Sequence, residues 1–332
     1  AGFVELIGNE DLSIKDDKLY ADSYVDLVWF DISDPERPEL EGRVENAFRY
    51  ALPTIENGYG FDYNMCYSEE ARAKGVVVGW EPKEREETIY HYPSYGGDLM
   101  ANDAASGTST QGVNGSMARF SIYGKYLYTV EQNIMCVFDL SGDKPVLTTN
   151  DIWLQRGVET LFNYKDKMFM GTPTGMLIYS LEDSLEDPLA PKYRSSVSHV
   201  FGCDPVVVED DLAYVTVHSG NTCGQNTNEL MLIDVSDVDQ PNLLVTYGMK
   251  CPKGLGIDNG TLFLCDEGLK VFNAKDPMTL LANQLVHYAG MEGYDVIPFK
   301  NTLMMIADDG LYQYDYSNLQ AISQLSKLPM GE

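Results

Sequence analysis

Apolar residues along this chain come in short alternating runs, broken by polar turns at intervals of roughly 8 to 12 positions, the spacing of strands in an all-β domain. One stretch runs from Leu12 through Leu19-Tyr20 to Trp29-Phe30-Asp31 and on to Pro35; the same order returns from Ala118, Glu159, Asp204, Gly254 and Asp295. Each copy has four parts. An apolar run such as Val206-Val207-Val208 is followed by a tight polar turn such as Asp210-Asp211 or Asp258-Asn259-Gly260. A second alternating strand leads to a third that ends on a polar marker, and a fourth, less apolar strand completes the unit, as in residues 39–45 and 243–247. Helix is not expected in the copies, because the turns leave no room for three turns of a 3.6-residue period.

The third-strand markers are Asp31, Asp139, Ser180, Asp234, Asn273 and Asp315; from Asp139 onward they stand 41, 54, 39 and 42 residues apart. That period is one blade of a β-propeller. The expected fold is therefore an all-β propeller of four-stranded blades spanning residues 1–332 as one domain, with six or seven blades. The ambiguity comes from residues 45–116, which separate the first two markers and read either as an insertion or as a degenerate blade. Within them, residues 75–80 and 87–92 have strand character and residues 106–116 are rich in Gly, Ser, Thr and Asn. Residues 3–7 resemble a lone fourth strand.

Composition narrows the function. With 51 acidic and 23 basic residues the formal net charge is −28, which repels nucleic-acid phosphates and anionic membranes; no nucleic-acid partner is expected. No stretch approaches the ~20 apolar residues that cross a bilayer, and no signal-peptide pattern stands at the start. There is no GxSxG elbow, HExxH or P-loop, and four histidines (91, 199, 218 and 287) exclude a His-rich centre.

Strand order places the strand 2–3 hairpins and the links from strand 4 to the next strand 1 on one side of the ring, here called the top, where loops carry function. Three features fall there. Cys203 and Cys223 meet in the fourth copy and are expected to form a disulfide; Cys251 and Cys265 occupy similar places one copy later. The alternatives are buried free thiols in both pairs and, with His199 and His218 near the first pair, a Cys/His metal site. Acids gather at the starts of strand 1 (Asp11, Glu159, Asp204, Asp295) and in the 2–3 turns (Asp22, Asp26, Glu131, Asp266, Glu267, Asp308, Asp309). Asp204, Asp266, Asp295 and Asp308 are the candidate ligands for a hard cation such as Ca²⁺; the competing role for such acids is to cap N–H groups in turns. Residues 45–116 are rich in aromatics, and Tyr59, Tyr63, Trp80, Tyr92 and Tyr95 are the candidate ligand-binding side chains, since flat rings supply contact area with few rotors. Their competing role is to anchor the segment to the propeller.

The phrases Asp31-Ile32-Ser33-Asp34-Pro35 and Leu232-Ile233-Asp234-Val235-Ser236-Asp237 resemble the LVIVD repeat of bacterial and archaeal cell-surface proteins, over nearly the whole chain except residues 45–116. The likeness is greatest to Gram-negative lipoproteins, which implies an extracytoplasmic, outer-membrane or cell-surface location and a lipid anchor upstream of residue 1; the family supplies no catalytic residues to carry over. The expected function is a non-enzymatic binding or scaffold module for a protein or glycan at the top face, in one version an accessory lipoprotein of an uptake or secretion complex. The alternative is a propeller hydrolase or lyase acting on polysaccharide or peptide at the top-face cavity.

Overall fold

The computed structural model describes residues 4–53, 61, 63–83, 117–131, 133–155, 157–181, 191–198, 205–218 and 227–329. It is a β-propeller of six four-stranded antiparallel blades. They run 12–44, 120–153, 160–198, 206–248, 252–288 and 293–329, and in each the strands pair in chain order. The first strand of a blade lies innermost. The fourth is outermost and largely exposed, as in Ser323–Pro329.

Turn chemistry explains the blades. Every hairpin between strands 1 and 2 contains a residue with positive φ: Asp16, Gly124, Lys165, Asp210 and Asp211, Asn259 and Gly260, Lys300 and Asn301. Two adjacent positive φ values match the right-handed twist of the flanking strands, which is why Asp, Asn and Gly collect there. The third-strand marker closes a second kind of turn. Asp31 Oδ1 accepts from Ser33 N (2.8 Å) and Ser33 Oγ (2.6 Å), and Asp139–Ser141 and Asp234–Ser236 repeat both bonds. Asp315 accepts from Ser317 N at 2.8 Å. A side chain that substitutes for a backbone acceptor two residues on is the reason for an Asp in this place. Just before the marker, all six blades shift register between strands 3 and 4, for example between Trp29 and Phe30 and between Leu232 and Ile233. Such a bulge bends and twists the outer strand.

The core lies between blades rather than inside them. Among the described residues, five apolar clusters each join two neighbours. Tyr20, Leu27 and Trp29 of blade 1 meet Phe120, Leu127 and Phe138 of blade 2, and the same arrangement continues to blades 5 and 6, where Phe263 and Val271 meet Met305 and Tyr314.

Of the expected six or seven blades the structure has six, and the described residues 45–53 and 63–83 leave blade 1 as the insertion, over the top. Within it Tyr63–Tyr67 (α1) and Glu69–Arg72 (α2) form two short helices; Ser68 caps the second by accepting from Ala71 N at 3.1 Å, with Glu69 and Glu70 in the first turn. Two other expectations need correction. Residues 75–80 form no strand. Gly75 has φ +136 and Val76 and Val78 are exposed, and among the described residues no neighbouring strand bonds to them. Residues 4–6 are likewise not a strand; Leu6 instead packs on the buried cluster of Ala21, Val28 and Phe30 in blade 1. A 3-10 helix at Pro277–Asn283 also interrupts blade 5 between its third and fourth strands, burying Leu280. No helix among the described residues is long and apolar enough to cross a membrane.

Candidate functional site

The acids at the top of strand 2 turn back onto their own blade. Asp22 Oδ1 accepts from Glu10 N (2.8 Å), Asp11 N (2.9 Å) and Asn9 Nδ2 (2.7 Å). Asp266, buried, accepts from Lys250 N (3.1 Å), Cys251 N (2.7 Å) and Lys270 Nζ (2.7 Å). Asp308 accepts from Glu292 N at 2.9 Å. These carboxylates cap the segment leading into the inner strand, whose N–H groups have no ladder partner. Asp295 is buried on the inner strand of blade 6 beside Gly254. No group of three or more His, Cys, Asp or Glu residues among those described is placed to hold a metal ion. Asp204, Cys203, Cys223, Tyr59, Tyr92 and Tyr95 lie outside the described residues, as does His199. Cys251 is exposed, Cys265 is buried, and both are free thiols.

Blades 1 and 2 differ from the rest. Where four other copies carry an acid at the start of the inner strand, blade 2 carries Arg119. Its guanidinium bonds Glu10 of blade 1 and reaches Glu131 of blade 2 at 3.4 Å, and its backbone N–H donates to Asp11. With Asp22, four carboxylates surround one cation. Burial pushes Asp11 up to about 7 despite Arg119, and pushes Glu131 up to about 7 against the same guanidinium. Burial also raises Asp22, opposed by the N–H groups of Asp11 and Glu10. Burial alone would pull the Arg119 pKa down; Glu131, Asp11 and Glu10 outweigh it and hold the guanidinium charged. Glu10, Asp22 and Glu131 line a cavity of about 210 Å³ with Tyr24, Pro53 and Val77. Arg119 was absent from the sequence-derived site, although its reversal of sign within the repeat register is a signal that could have found it.

The insertion builds a larger recess beside this cavity. Its rings form a chain: Trp153 on the outer strand of blade 2 meets Tyr50 at 6.1 Å, Tyr50 meets Tyr67 at 5.7 Å, and Phe61 meets Tyr67 at 6.4 Å and Trp80 at 5.2 Å. Trp80 Nε1 donates to Pro53 O at 2.7 Å and Tyr67 Oη to Tyr50 O at 3.0 Å. Trp80 is thus half-buried and engaged in anchoring the segment. Tyr63 lies in α1. Beside Tyr67 opens a groove of about 930 Å³, lined also by Val25, Leu52, Met65, Val76 and basic residues, with Met65 76% exposed.

The LVIVD repeat is matched at residues 10–46 and 204–248, the first and fourth blades. The chain carries LVIVD repeats on a six-bladed propeller. The markers Asp31 and Asp234, with their turns onto Ser33 and Ser236, fall inside the two matched segments. No curated protein matches the chain in sequence. Solved structures match it in shape. The periplasmic gluconolactonase of Pseudomonas aeruginosa is 11% identical with a TM-score of 0.58, covering 97% of this chain and 85% of that one. A chain of the mitotic checkpoint complex is 9% identical with a TM-score of 0.56, covering 100% and 80%. The computationally designed Ika8 protein is 11% identical with a TM-score of 0.51, covering 98% and 87%. An enzyme, a member of an assembly and a designed protein share the architecture, so the likeness carries the fold alone.

Proposed function

We propose that this LVIVD propeller is a binding module that works outside the cytoplasm and seats a protein or glycan on the groove its insertion builds over blades 1 and 2. The observation that carries the reading is the groove itself. Its volume falls in the range of sites that enclose a ligand, and it leaves Met65 and Val76 open to solvent, apolar surface whose covering favours association. The repeat's resemblance to Gram-negative surface lipoproteins supports a cell-surface location with an upstream lipid anchor and a role as accessory to an uptake or secretion complex. Affinity isolation from the native envelope tests it, using the wild type beside the Met65→Asp/Val76→Asp variant. A partner retained by the wild type alone supports the reading; equal recovery on both removes the groove from it.

One observation favours a second reading, a hydrolase or lyase at the smaller cavity. Carboxyl groups held near pKa 7, as Glu131 and Asp11 are, suit general-acid work at neutral pH. Turnover of a polysaccharide or peptide that Glu131→Gln abolishes while folding is retained would establish it. A panel of such substrates left uncut by the wild type would dismiss it.

A further inference from the structure

The groove's charge runs against that of the molecule. In a chain of net charge −28, its charged lining is Arg49, Arg72 and Lys74 against Glu70 alone. Arg72 lies over the Tyr50 ring at 5.5 Å. Lys74 pairs with Glu70 at 3.2 Å, but their side chains are 74% and 84% exposed, so the pair holds little of either charge in place. Arg49 is exposed and makes neither an ion pair nor a hydrogen bond among the described residues. Three cations against one carboxylate, in a protein with 51 acids, mark a place where an acid from outside fits.

The rest of the lining says what carries that acid. Val25, Leu52, Met65, Val76 and Val77 suit aliphatic side chains, and methionine adapts its shape to them. Sugars call for open ring faces; here Tyr50, Tyr67, Phe61 and Trp80 pack against one another. A phosphodiester chain is opposed by the net charge of everything around the groove.

We infer that the groove docks an extended protein segment in which carboxylates stand beside aliphatic side chains, the carboxylates meeting Arg49 and Lys74 and the aliphatics meeting Met65 and Val76. This rests on the groove being the binding site proposed above. The surrounding acidity repels such a segment at long range, so only one that also satisfies the apolar lining gains by binding, which is how repulsion contributes to specificity. Association then quickens as salt screens the repulsion.

Fluorescence anisotropy with three labelled probes decides it: a nine-residue peptide alternating Leu and Glu, its counterpart with Lys for Glu, and an oligogalacturonate. The Leu/Glu peptide is expected to bind the wild type at least tenfold more tightly than the Leu/Lys peptide. Arg49→Glu should remove that preference and Met65→Asp should weaken the Leu/Glu peptide tenfold; both residues are exposed, so each variant should keep the wild-type circular dichroism and melting curve. Equal binding of the two peptides, or a preference that survives Arg49→Glu, overturns the inference. An oligogalacturonate that binds in a Met65-dependent way while the peptides do not overturns it too, yet leaves the groove as the binding site. Binding of no probe that responds to Met65→Asp defeats both.

Discussion

Replacing Arg119 by Gln removes the one cation among Glu10, Asp11, Asp22 and Glu131. The Arg119 side chain is 20% exposed and Glu131 21%, while Glu10 is 34% exposed. Breaking a fully buried pair by deleting one partner costs about 3 to 5 kcal/mol; with Glu10 partly screened by water, the loss at pH 8 should sit at the lower end, about 3 kcal/mol. At pH 5 it should shrink to about 1 kcal/mol, the worth of the neutral hydrogen bonds removed, because Asp11 and Glu131 then hold protons. The sign follows from linkage. A carboxyl whose folded pKa lies above its unfolded value stabilises most below the unfolded value, near pH 4, and loses that contribution as pH rises toward 7. Guanidinium unfolding at pH 5, 6, 7 and 8 measures the difference directly; in a thermal scan it should appear as a drop of roughly 5 °C at pH 8 and 2 °C at pH 5. Equal destabilisation at the two ends of the series would refute the idea that unbalanced charge, rather than lost packing, is what Arg119 corrects.

The wild type should itself be most stable on the mildly acid side of neutrality. Asp31, Asp139, Asp234 and Asp315, each held low by a serine hydroxyl, stabilise above their unfolded pKa and lose that contribution as pH falls through the lowered values, opposite to Asp11 and Glu131. A stability profile rising monotonically from pH 4 to 8 would contradict this. Gly254→Ala should cost about 2 kcal/mol by forcing the inner strands of blades 5 and 6 apart, since its Cβ would lie 2.1 Å from Asp295 Oδ1 and 2.6 Å from Tyr294 O; Gly79→Ala, whose Cβ meets nothing within 4 Å, should be neutral in the same denaturation assay. Asp234→Ala removes two hydrogen bonds to Ser236 and should cost about 1 kcal/mol, with the wild-type circular dichroism unchanged.

How much was legible depended on how local the cause was. The hairpin turns and the third-strand markers act within a few residues, so Asp210-Asp211 and Asp31-Ile32-Ser33 could be read directly. The register shift beside each marker leaves no trace in composition, because Trp29-Phe30 and Leu232-Ile233 look like uninterrupted strand. Residues 75–80 misled for the complementary reason: Val76, Val77 and Val78 have strand character, but a strand exists only where another bonds to it. Asp22, Asp266 and Asp308 stand at the ends of their second strands, a position that turn spacing reports. Which of them capped their own blade and which gathered around Arg119 depended on contacts across 109 residues, which no single stretch records.

Each blade ends in an outer strand with one edge unbonded by its sheet, and aliphatic residues such as Leu40, Leu243 and Leu325 stand exposed along those edges. Edges of this kind template pairing between molecules, and bulges together with like charge are what keep them apart. The bulges persist at any pH, whereas the charge does not. As its carboxylates protonate, this ring should become sticky at its rim before it unfolds, so acid is expected to produce turbidity from folded protein, reversible on neutralisation.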